Sequence, residues 1–304
     1  MERISECEMQ VILHQYLKIL MAKLFFISSI SIFLLFFLSA CNSSYRMVEK
    51  EGTTQYYNVA YGHHKKHKMD VFTPSSVDSA KPIVLLIHGG SWKKGDKLML
   101  RPVQKMLLKN GFSTVNINYR LINKKIGLSE QLQDIGSSVV KSDSILNLST
   151  NHPYILLGES AGGQLAMLYG YHHNEKVNKI ISLSGPTNLA DKAYTKSVKS
   201  IFAIPVLNKL TKSNFKRRGI IPLAYKEASP YVNVTNIPTL LIHGVNDWYV
   251  NKRQAYLMDS VLLKKGVPHR LVMIKWGGHI SRLNPFLRNK FVYPAIKEWV
   301  NNKN

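Results

Sequence analysis

The chain has 304 residues, of which 45% are hydrophobic and 19% are charged, enough for one large core or two modest ones. Its 41 basic residues outnumber 18 acidic ones and give a net charge of +23. No zinc-finger, basic-zipper or RNA-binding signature accompanies this excess, so we interpret it as a basic surface and expect no nucleic-acid partner. The two cysteines, Cys7 and Cys41, exclude a disulfide-built scaffold and offer no metal-ligand spacing.

An uncharged apolar run, "LFFISSISIFLLFFL", occupies residues 24–38 and is followed by "SAC". A membrane span needs about 20 apolar residues, so this shorter run fits the hydrophobic core of a signal peptide better. The "LSAC" that ends at Cys41 resembles the bacterial lipobox. This resemblance implies an exported lipoprotein whose lipidated first residue is Cys41 and which is anchored to a bacterial membrane; an uncleaved signal anchor is the alternative.

The first twenty residues do not fit a signal peptide, because they carry Glu2, Glu6 and Glu8 where positive charge is expected. We therefore expect translation to start at Met21 and residues 1–20 to be an overrun. The expected organisation is a signal peptide over 21–40, a polar tether over 41–54 and one catalytic domain over 55–304.

The domain begins with two segments rich in β-formers, "TTQYYNVAYG" and "HKMDVFTP", which predict a hairpin. We expect His63, His64 and His67 in its turn to be solvated. Strands are then predicted at "KPIVLLIHGG", "FSTVNINYR", "PYILLGES", "VNKIISLSG", "IPTLLIHGVND" and "HRLVMIKWGGH". Helices are predicted at "KLMLRPVQKMLLKNG", "LSEQLQDIGSSVVKSDSILN", "GGQLAMLYGYHH", "RQAYLMDSVLLKKG" and "NKFVYPAIKEWVNN". This alternation predicts an α/β fold, with a mostly parallel, doubly wound sheet and a leading antiparallel hairpin.

Residues 186–228 lack clean alternation and carry nine basic side chains against two acidic ones. We interpret this segment as a short cap inserted over the carboxyl edge of the sheet, where ligands bind in such folds. An ordinary helical connection is the alternative.

The stretch "LLGESAGGQLAML" places Ser160 where a buried strand turns directly into a helix. The pattern Gly-x-Ser-x-Gly is short enough to arise by chance in roughly one chain in ten of this length, so its context decides. A sharp strand-to-helix turn is what a nucleophile elbow requires. A Cβ atom at Gly158 or Gly162 would crowd this turn. The context predicts that Ser160 is a nucleophile.

A serine nucleophile needs a base, because its hydroxyl is weak at neutral pH. Of eleven histidines, His279 in "KWGGHI" follows both the nucleophile and a strand whose end should face it. His243 also ends a strand, but we expect it to be a packed side chain. Asp247 in "LIHGVNDWYV" ends the preceding strand and is predicted to orient the imidazole. The order Ser160, Asp247, His279 is that expected for an α/β-hydrolase.

Attack by a serine on an acyl carbonyl would form a tetrahedral intermediate, and the negatively charged oxygen of this intermediate needs hydrogen-bond donors. The N–H of Ala161 follows the nucleophile directly, and "HGGSW" ends an early strand with backbone groups that no side chain obstructs.

The motifs "HGGSWKKGD", "NYRL", "GESAGGQLA", "ASPYVN", "HGVNDWYV" and "GGH" stand in this order along the chain. In this respect the chain resembles the α/β-hydrolase esterase/lipase group over about residues 55–300. Its HGGxW form is similar to the feruloyl/acetyl-xylan esterase-like branch and to kynurenine formamidases. The resemblance implies Ser160, Asp247 and His279 as the triad. It also implies Gly90, Ser91 and Ala161 as the oxyanion hole, although the familiar HGGG is HGGS here.

These observations together predict a serine carboxylesterase that hydrolyses small or carbohydrate-linked acyl esters through an acyl-enzyme, with no metal or organic cofactor. Its expected partners are the ester substrate and, through the lipid anchor, a membrane. An arylformamidase or another amide-cleaving hydrolase is the alternative within enzymes. A non-catalytic lipoprotein that binds envelope components is the alternative from a different class.

Overall fold

The computed structural model describes residues 45–302, with gaps at 77, 79, 150, 174, 196–199 and 218, together with Met21. The chain divides into two units, Met1–Ser44 and Tyr45–Asn304, and the described residues other than Met21 all belong to the second. The predicted signal peptide apart from Met21, and the predicted lipidation site Cys41, lie outside the described residues. In the part of the chain that is described, no helix is both long and apolar enough to cross a membrane.

The second unit is built on one sheet, which has nine strands among the described residues, in the order β1-β2-β3-β5-β4-β6-β7-β8-β9. Strands β1, β2 and β3 are antiparallel to their neighbours, whereas β5, β4 and β6 to β9 run parallel to one another. The strands are Arg46–Lys50 (β1), Thr53–Ala60 (β2), Lys68–Pro74 (β3), Ile83–Ile87 (β4), Thr114–Ile117 (β5), Tyr154–Glu159 (β6), Val177–Leu183 (β7), Thr239–Gly244 (β8) and His269–Ile274 (β9).

Helices cover both faces of this sheet, which is why its central strands β4, β5 and β6 are buried along their whole length. They are Arg101–Lys109 (α1), Leu128–Leu146 (α2), Ala161–His172 (α3), Lys192–Thr195 (α4), Ser200–Thr211 (α5), Leu223–Glu227 (α6), Pro230–Asn233 (α7), Arg253–Lys264 (α8), Pro285–Leu287 (α9) and Tyr293–Asn301 (α10). Short 3₁₀ turns occupy Lys97–Leu100 and Ser281–Leu283, and Arg288–Val292 is a π-helical turn.

Alternate residues of each strand point to opposite faces, and they divide the core into two layers. In β4, Leu85 and Ile87 pack into the layer that contains α2 and α3. Val84 and Leu86 pack into the layer that contains α1 and α10. The predicted mostly parallel α/β fold is confirmed.

The structure differs from the prediction at the start of the domain. The segment interpreted as a polar tether contains β1, which pairs with β2, and β2 itself begins at Thr53. The tether prediction is therefore wrong for these residues. Strand β1 is exposed along most of its length, so it carries no buried apolar face, and its polar sequence shows no alternation that would indicate a strand.

The prediction that all three histidines of the hairpin turn are solvated is also wrong in part. His63 and His64 are exposed, but the Nε2 atom of His67 lies 3.0 Å from a carboxylate oxygen of Asp134. The ring of His67 also stacks on Tyr61. Burial lowers the pKa of His67, and the nearby charge of Asp134 opposes this shift.

A buried ionic cluster fastens the leading strands to the parallel sheet. The Asp70 side chain is fully buried and accepts a hydrogen bond from the backbone N–H of Asn58 at 2.8 Å. It also pairs with Lys97, at 3.1 Å, and with Arg101. Because a buried charge is costly without its partner, removing one member of this cluster should markedly lower the free energy of unfolding.

We expect Asp70→Asn to lower the free energy of unfolding by about 3–5 kcal/mol, because it leaves the buried Lys97 ammonium without a full countercharge. Urea denaturation at neutral pH measures the loss. Glu298→Gln is the matched control, since its pair with Arg270 is exposed and such pairs contribute at most about 1 kcal/mol. Equal losses in the two variants would contradict the assignment.

Candidate active site

Ser160 lies at a strained turn between β6 and α3. Its backbone has φ of 54° and ψ of −120°, a conformation that L-residues rarely adopt. Its N–H donates to the carbonyl of Leu183 at 2.8 Å. A Cβ atom at Gly158 would lie 2.0 Å from the carbonyl oxygen of Gly162, and one at Gly162 would lie 2.1 Å from that of Ile87. Glycine is therefore required at both positions, and the turn has the geometry of a nucleophile elbow.

The structure brings the three residues of the predicted triad together. The Nε2 atom of His279 lies 2.8 Å from the hydroxyl oxygen of Ser160. Its Nδ1 atom lies 2.8 Å from a carboxylate oxygen, Oδ2, of Asp247. These distances are those of hydrogen bonds, so a serine, an imidazole and a carboxylate form one continuous chain.

Asp247 is fully buried at its side chain, yet its surroundings favour the charged form. Burial by itself raises the pKa of Asp247, but hydrogen bonds from His243, His279 and the Val250 N–H outweigh burial and hold the pKa far below its ordinary value. The other carboxylate oxygen, Oδ1, accepts the backbone N–H groups of Tyr249 and Val250 at 2.9 and 2.8 Å. The carboxylate therefore stays ionised and can stabilise an imidazolium at His279.

His243 is buried as expected, but its contact with the triad was not predicted. Its Nε2 atom donates to the carbonyl of Val250 at 2.8 Å and lies 3.3 Å from Oδ2 of Asp247. Two histidines thus flank the same carboxylate. The spacing of His243 four residues before Asp247 at a strand end is the sequence signal that could have suggested this contact.

The HGGSW segment forms a tight loop beside Ser160. Gly90, Ser91 and Trp92 all have positive φ values, of 119°, 52° and 59°. The indole N–H of Trp92 donates to Gln164 on α3 at 2.9 Å, and the carbonyl of Trp92 accepts the side-chain amide of Gln131 at 3.0 Å. The tryptophan of HGGxW therefore ties this loop to the helix that follows the nucleophile.

The predicted oxyanion donors line the same cavity as Ser160. Gly90, Ser91 and Ala161 are all among the lining residues. Outside helices and strands, none of the backbone hydrogen bonds between described residues uses the N–H of these three. The oxyanion role of these N–H groups stays a prediction.

The cavity above Ser160 has a volume of about 620 Å³, which suits a small organic molecule. Leu189, Phe202 and Val206, all from the predicted cap segment, form part of its wall. Trp248 and Tyr249 line it from the loop after β8 and are about three-quarters exposed.

A more open groove of about 730 Å³ lies along α2 and contains none of the predicted site residues. Within the described residues, no cluster of three His, Cys, Asp or Glu side chains could hold a metal ion.

Comparison with known proteins identifies the class of fold and then the family. A truncated carbohydrate esterase from gut microbiota superimposes with a TM-score of 0.67 at 19% identity, over 84% of this chain and 100% of that one. The fold is that of the α/β-hydrolases. The BD-FAE family model matches residues 69–262, more than half of the chain, and the chain belongs to the BD-FAE family.

Two curated relatives match parts of this chain, one over a shorter region and the other over a longer region at lower identity. The non-reducing polyketide synthase nvfA of Aspergillus novofumigatus is 32% identical over 143 residues, which are 41% of this chain and 6% of the synthase. A probable isoprenylcysteine alpha-carbonyl methylesterase of Arabidopsis thaliana is 22% identical over 247 residues, 73% of this chain and 56% of that protein. The chain thus spans a small fraction of the first relative and about half of the second.

The buried ring of His88 leads us to expect that stability depends on pH. Its ring is fully buried and stacks on Tyr119 at a centroid distance of 4.4 Å. Burial lowers the pKa of His88 to about 4, although the hydrogen bond to the Gly89 carbonyl opposes this shift. Between this value and 6.5 the unfolded chain binds more protons than the folded chain, so stability rises with pH across this window and is lost as the pH falls.

We expect His88 to account for about 3 kcal/mol of the stability lost between pH 6.5 and pH 4, as a shift of this size implies. Urea denaturation of the wild type and of His88→Gln at several pH values measures this contribution. The variant should lose less stability than the wild type across the window, whatever its starting stability. Equal losses would show that other groups cause the acid sensitivity.

Proposed function

We propose that the protein is a serine carboxylesterase that hydrolyses small or carbohydrate-linked acyl esters through an acyl-enzyme. The observation that carries this proposal is the placement of His279, which contacts the Ser160 hydroxyl with one ring nitrogen and the Asp247 carboxylate with the other. This arrangement can remove a proton from a serine and stabilise the resulting imidazolium. Ser160 and His279 line a cavity that is large enough for an ester.

In the proposed acylation, Nε2 of His279 accepts the hydroxyl proton while Oγ of Ser160 attacks the ester carbonyl. The carbonyl oxygen gains negative charge, and the N–H groups of Ala161 and of Gly90 or Ser91 are the donors proposed to stabilise it. The tetrahedral intermediate collapses when the imidazolium returns its proton to the departing alcohol. An acyl group then remains on Ser160.

Deacylation repeats these steps with water as the nucleophile. His279 removes a proton from the water, the water oxygen attacks the acyl carbonyl, and Ser160 leaves with a proton from the imidazolium. The ionised Asp247 stabilises the imidazolium in both halves of the reaction. No residue of the chain is consumed, and no cofactor takes part in this scheme.

The proposed substrate class is supported by the cavity and by similar proteins. Apolar side chains such as Leu189 and Val206 can hold an acyl group, while the exposed rings of Trp248 and Tyr249 suit an apolar or sugar face. Similar proteins are named as a carbohydrate esterase and a methylesterase. Lys93 and Lys94 also line the cavity and favour substrates that carry negative charge.

Ser160→Ala is expected to abolish hydrolysis of p-nitrophenyl acetate and labelling by a fluorophosphonate probe, because it removes the nucleophile. Melting temperature and circular dichroism should show that the variant is folded. Ser137→Ala is a matched control, since this serine lines the other groove, and it should keep wild-type rates. Ester hydrolysis by Ser160→Ala at more than a few per cent of the wild-type rate would overturn the proposal.

We also propose that the protein is an exported lipoprotein, anchored to a bacterial membrane through Cys41. Support comes from the apolar run over 24–38 and the "LSAC" that follows it. In the proposed arrangement the esterase domain works in the cell envelope.

Cys41→Ser is expected to prevent incorporation of labelled palmitate and to block signal-peptide processing, which intact mass would reveal as a longer chain. Cys7→Ser is the matched control and should be labelled and processed like the wild type, because translation is proposed to start after it. Labelling that persists in Cys41→Ser, or that is lost in Cys7→Ser, would refute the anchor at Cys41.

A further inference from the structure

A buried ion pair joins the elbow to the loop that carries His279. The guanidinium of Arg282 contacts both carboxylate oxygens of Glu159, with Nε at 2.5 Å and Nη2 at 2.8 Å. Glu159 is 1% exposed and Arg282 is 5% exposed. A two-point contact of this kind fixes the relative orientation of its partners as well as their separation.

Each partner of this ion pair lies close in sequence to one residue of the predicted triad. Glu159 immediately precedes Ser160, and Arg282 follows His279 by three residues. The pair thus spans the same two segments as the contact between the Ser160 hydroxyl and the His279 imidazole. Its sequence separation is 123 residues, so neither segment could set this geometry locally.

The sheet explains why such a connection is needed. Strands β6 and β9 are separated by β7 and β8, which places the strand axes about 14 Å apart at the usual spacing. The loop after β9 must therefore reach back across two strands. Others of its hydrogen bonds, such as those from the Asn246 N–H to Gly277 and from the Ser281 hydroxyl to Gly278, hold it to the end of β8 or to itself.

Among the hydrogen bonds between described residues, those from this loop to the elbow are the His279 contact and the two made by Arg282. The single imidazole–hydroxyl contact exchanges its donor and acceptor whenever the proton moves during catalysis. The Arg282 contacts do not depend on that proton. They can hold the two segments in place through every step.

The ion pair also affects the net charge beside Ser160. A lone carboxylate next to Ser160 would oppose the negative charge that develops on the substrate oxygen. Arg282 neutralises Glu159 within the buried site. The pair therefore supplies rigidity next to the nucleophile without leaving a net charge there.

We propose that Glu159 and Arg282 are positioning residues that set the distance between the Ser160 hydroxyl and the His279 imidazole. This inference rests on the proposed esterase function. It differs from a purely stabilising role, because an ion pair that only stabilised the fold would leave the turnover of the folded enzyme unchanged.

The test compares steady-state hydrolysis of p-nitrophenyl acetate by Arg282→Gln, Glu159→Gln and Arg282→Lys, at a temperature where each is folded. We expect kcat to fall ~10-fold to 100-fold in the two glutamine variants, as small misplacements of reacting groups do, with KM within about twofold. Fluorophosphonate labelling of Ser160 should slow by the same factor. Arg282→Lys, which keeps the charge but loses the two-point contact, should be intermediate.

Asp143→Asn is the matched control. Asp143 is buried, accepts the Tyr154 hydroxyl at 2.6 Å and pairs with Lys176 at 3.0 Å. Tyr154 begins β6, at the end opposite Ser160, so this variant should lower the melting temperature and leave kcat unchanged. If the Arg282 and Glu159 variants behave in the same way, the positioning role is wrong. A raised KM with unchanged kcat would also overturn it, by indicating a substrate contact.

A readout that needs no activity separates this inference from the esterase proposal. The Nδ1 proton of His279, hydrogen-bonded to Asp247, should give a low-field NMR resonance that shifts or broadens in Arg282→Gln and stays in place in Asp143→Asn. An unshifted resonance in Arg282→Gln would overturn the positioning role. A wild-type protein that neither hydrolyses esters nor reacts with the probe would instead overturn the esterase proposal.

Discussion

The close approach of backbones at the end of β6 is the constraint on which the site depends. Cβ atoms at Gly158 and Gly162 would lie 2.0 and 2.1 Å from the carbonyl oxygens of Gly162 and Ile87, so β4, β6 and α3 can meet only through glycines. This contact forces Ser160 into its positive φ and turns its side chain into the cavity. The strain is held by the surrounding strands, because a six-residue buried strand with parallel neighbours on both sides cannot relax alone.

The second feature of the site is the buried charge of Asp247, at the carboxyl edge of the same sheet. Asp247 is buried and still charged because two histidines and two backbone N–H groups donate to it or lie within reach of it. The ionised carboxylate in turn orients His279 toward Ser160. The carboxylate thus stays charged in a buried position, where it contacts the imidazole of His279.

The sequence could predict most of the fold because its signals are local. Apolar runs such as "IVLLI" indicate buried strands, and a glycine-rich turn between a buried strand and a helix, as around Ser160, is typical of a nucleophile elbow. The segments that escaped prediction lack such signals. Strand β1 is held by backbone pairing on an exposed edge, and a polar composition there is also typical of a linker. The contact of His67 has no local signal either, because its partner Asp134 lies 67 residues away.

Long-range polar contacts account for the rest of the difference between sequence and structure. The role of Gln164 depends on Trp92, 72 residues away, and that of Arg282 depends on Glu159. An apolar pair in the place of Glu159 and Arg282 could stabilise the fold at least as well, since a buried ion pair loses much hydration. Apolar contacts, however, have no preferred direction, whereas a two-point hydrogen-bonded pair permits one orientation of the two segments. A contact between side chains from segments 119 residues apart, as Ser160 and His279 are, needs that directional restraint more than it needs the additional stability.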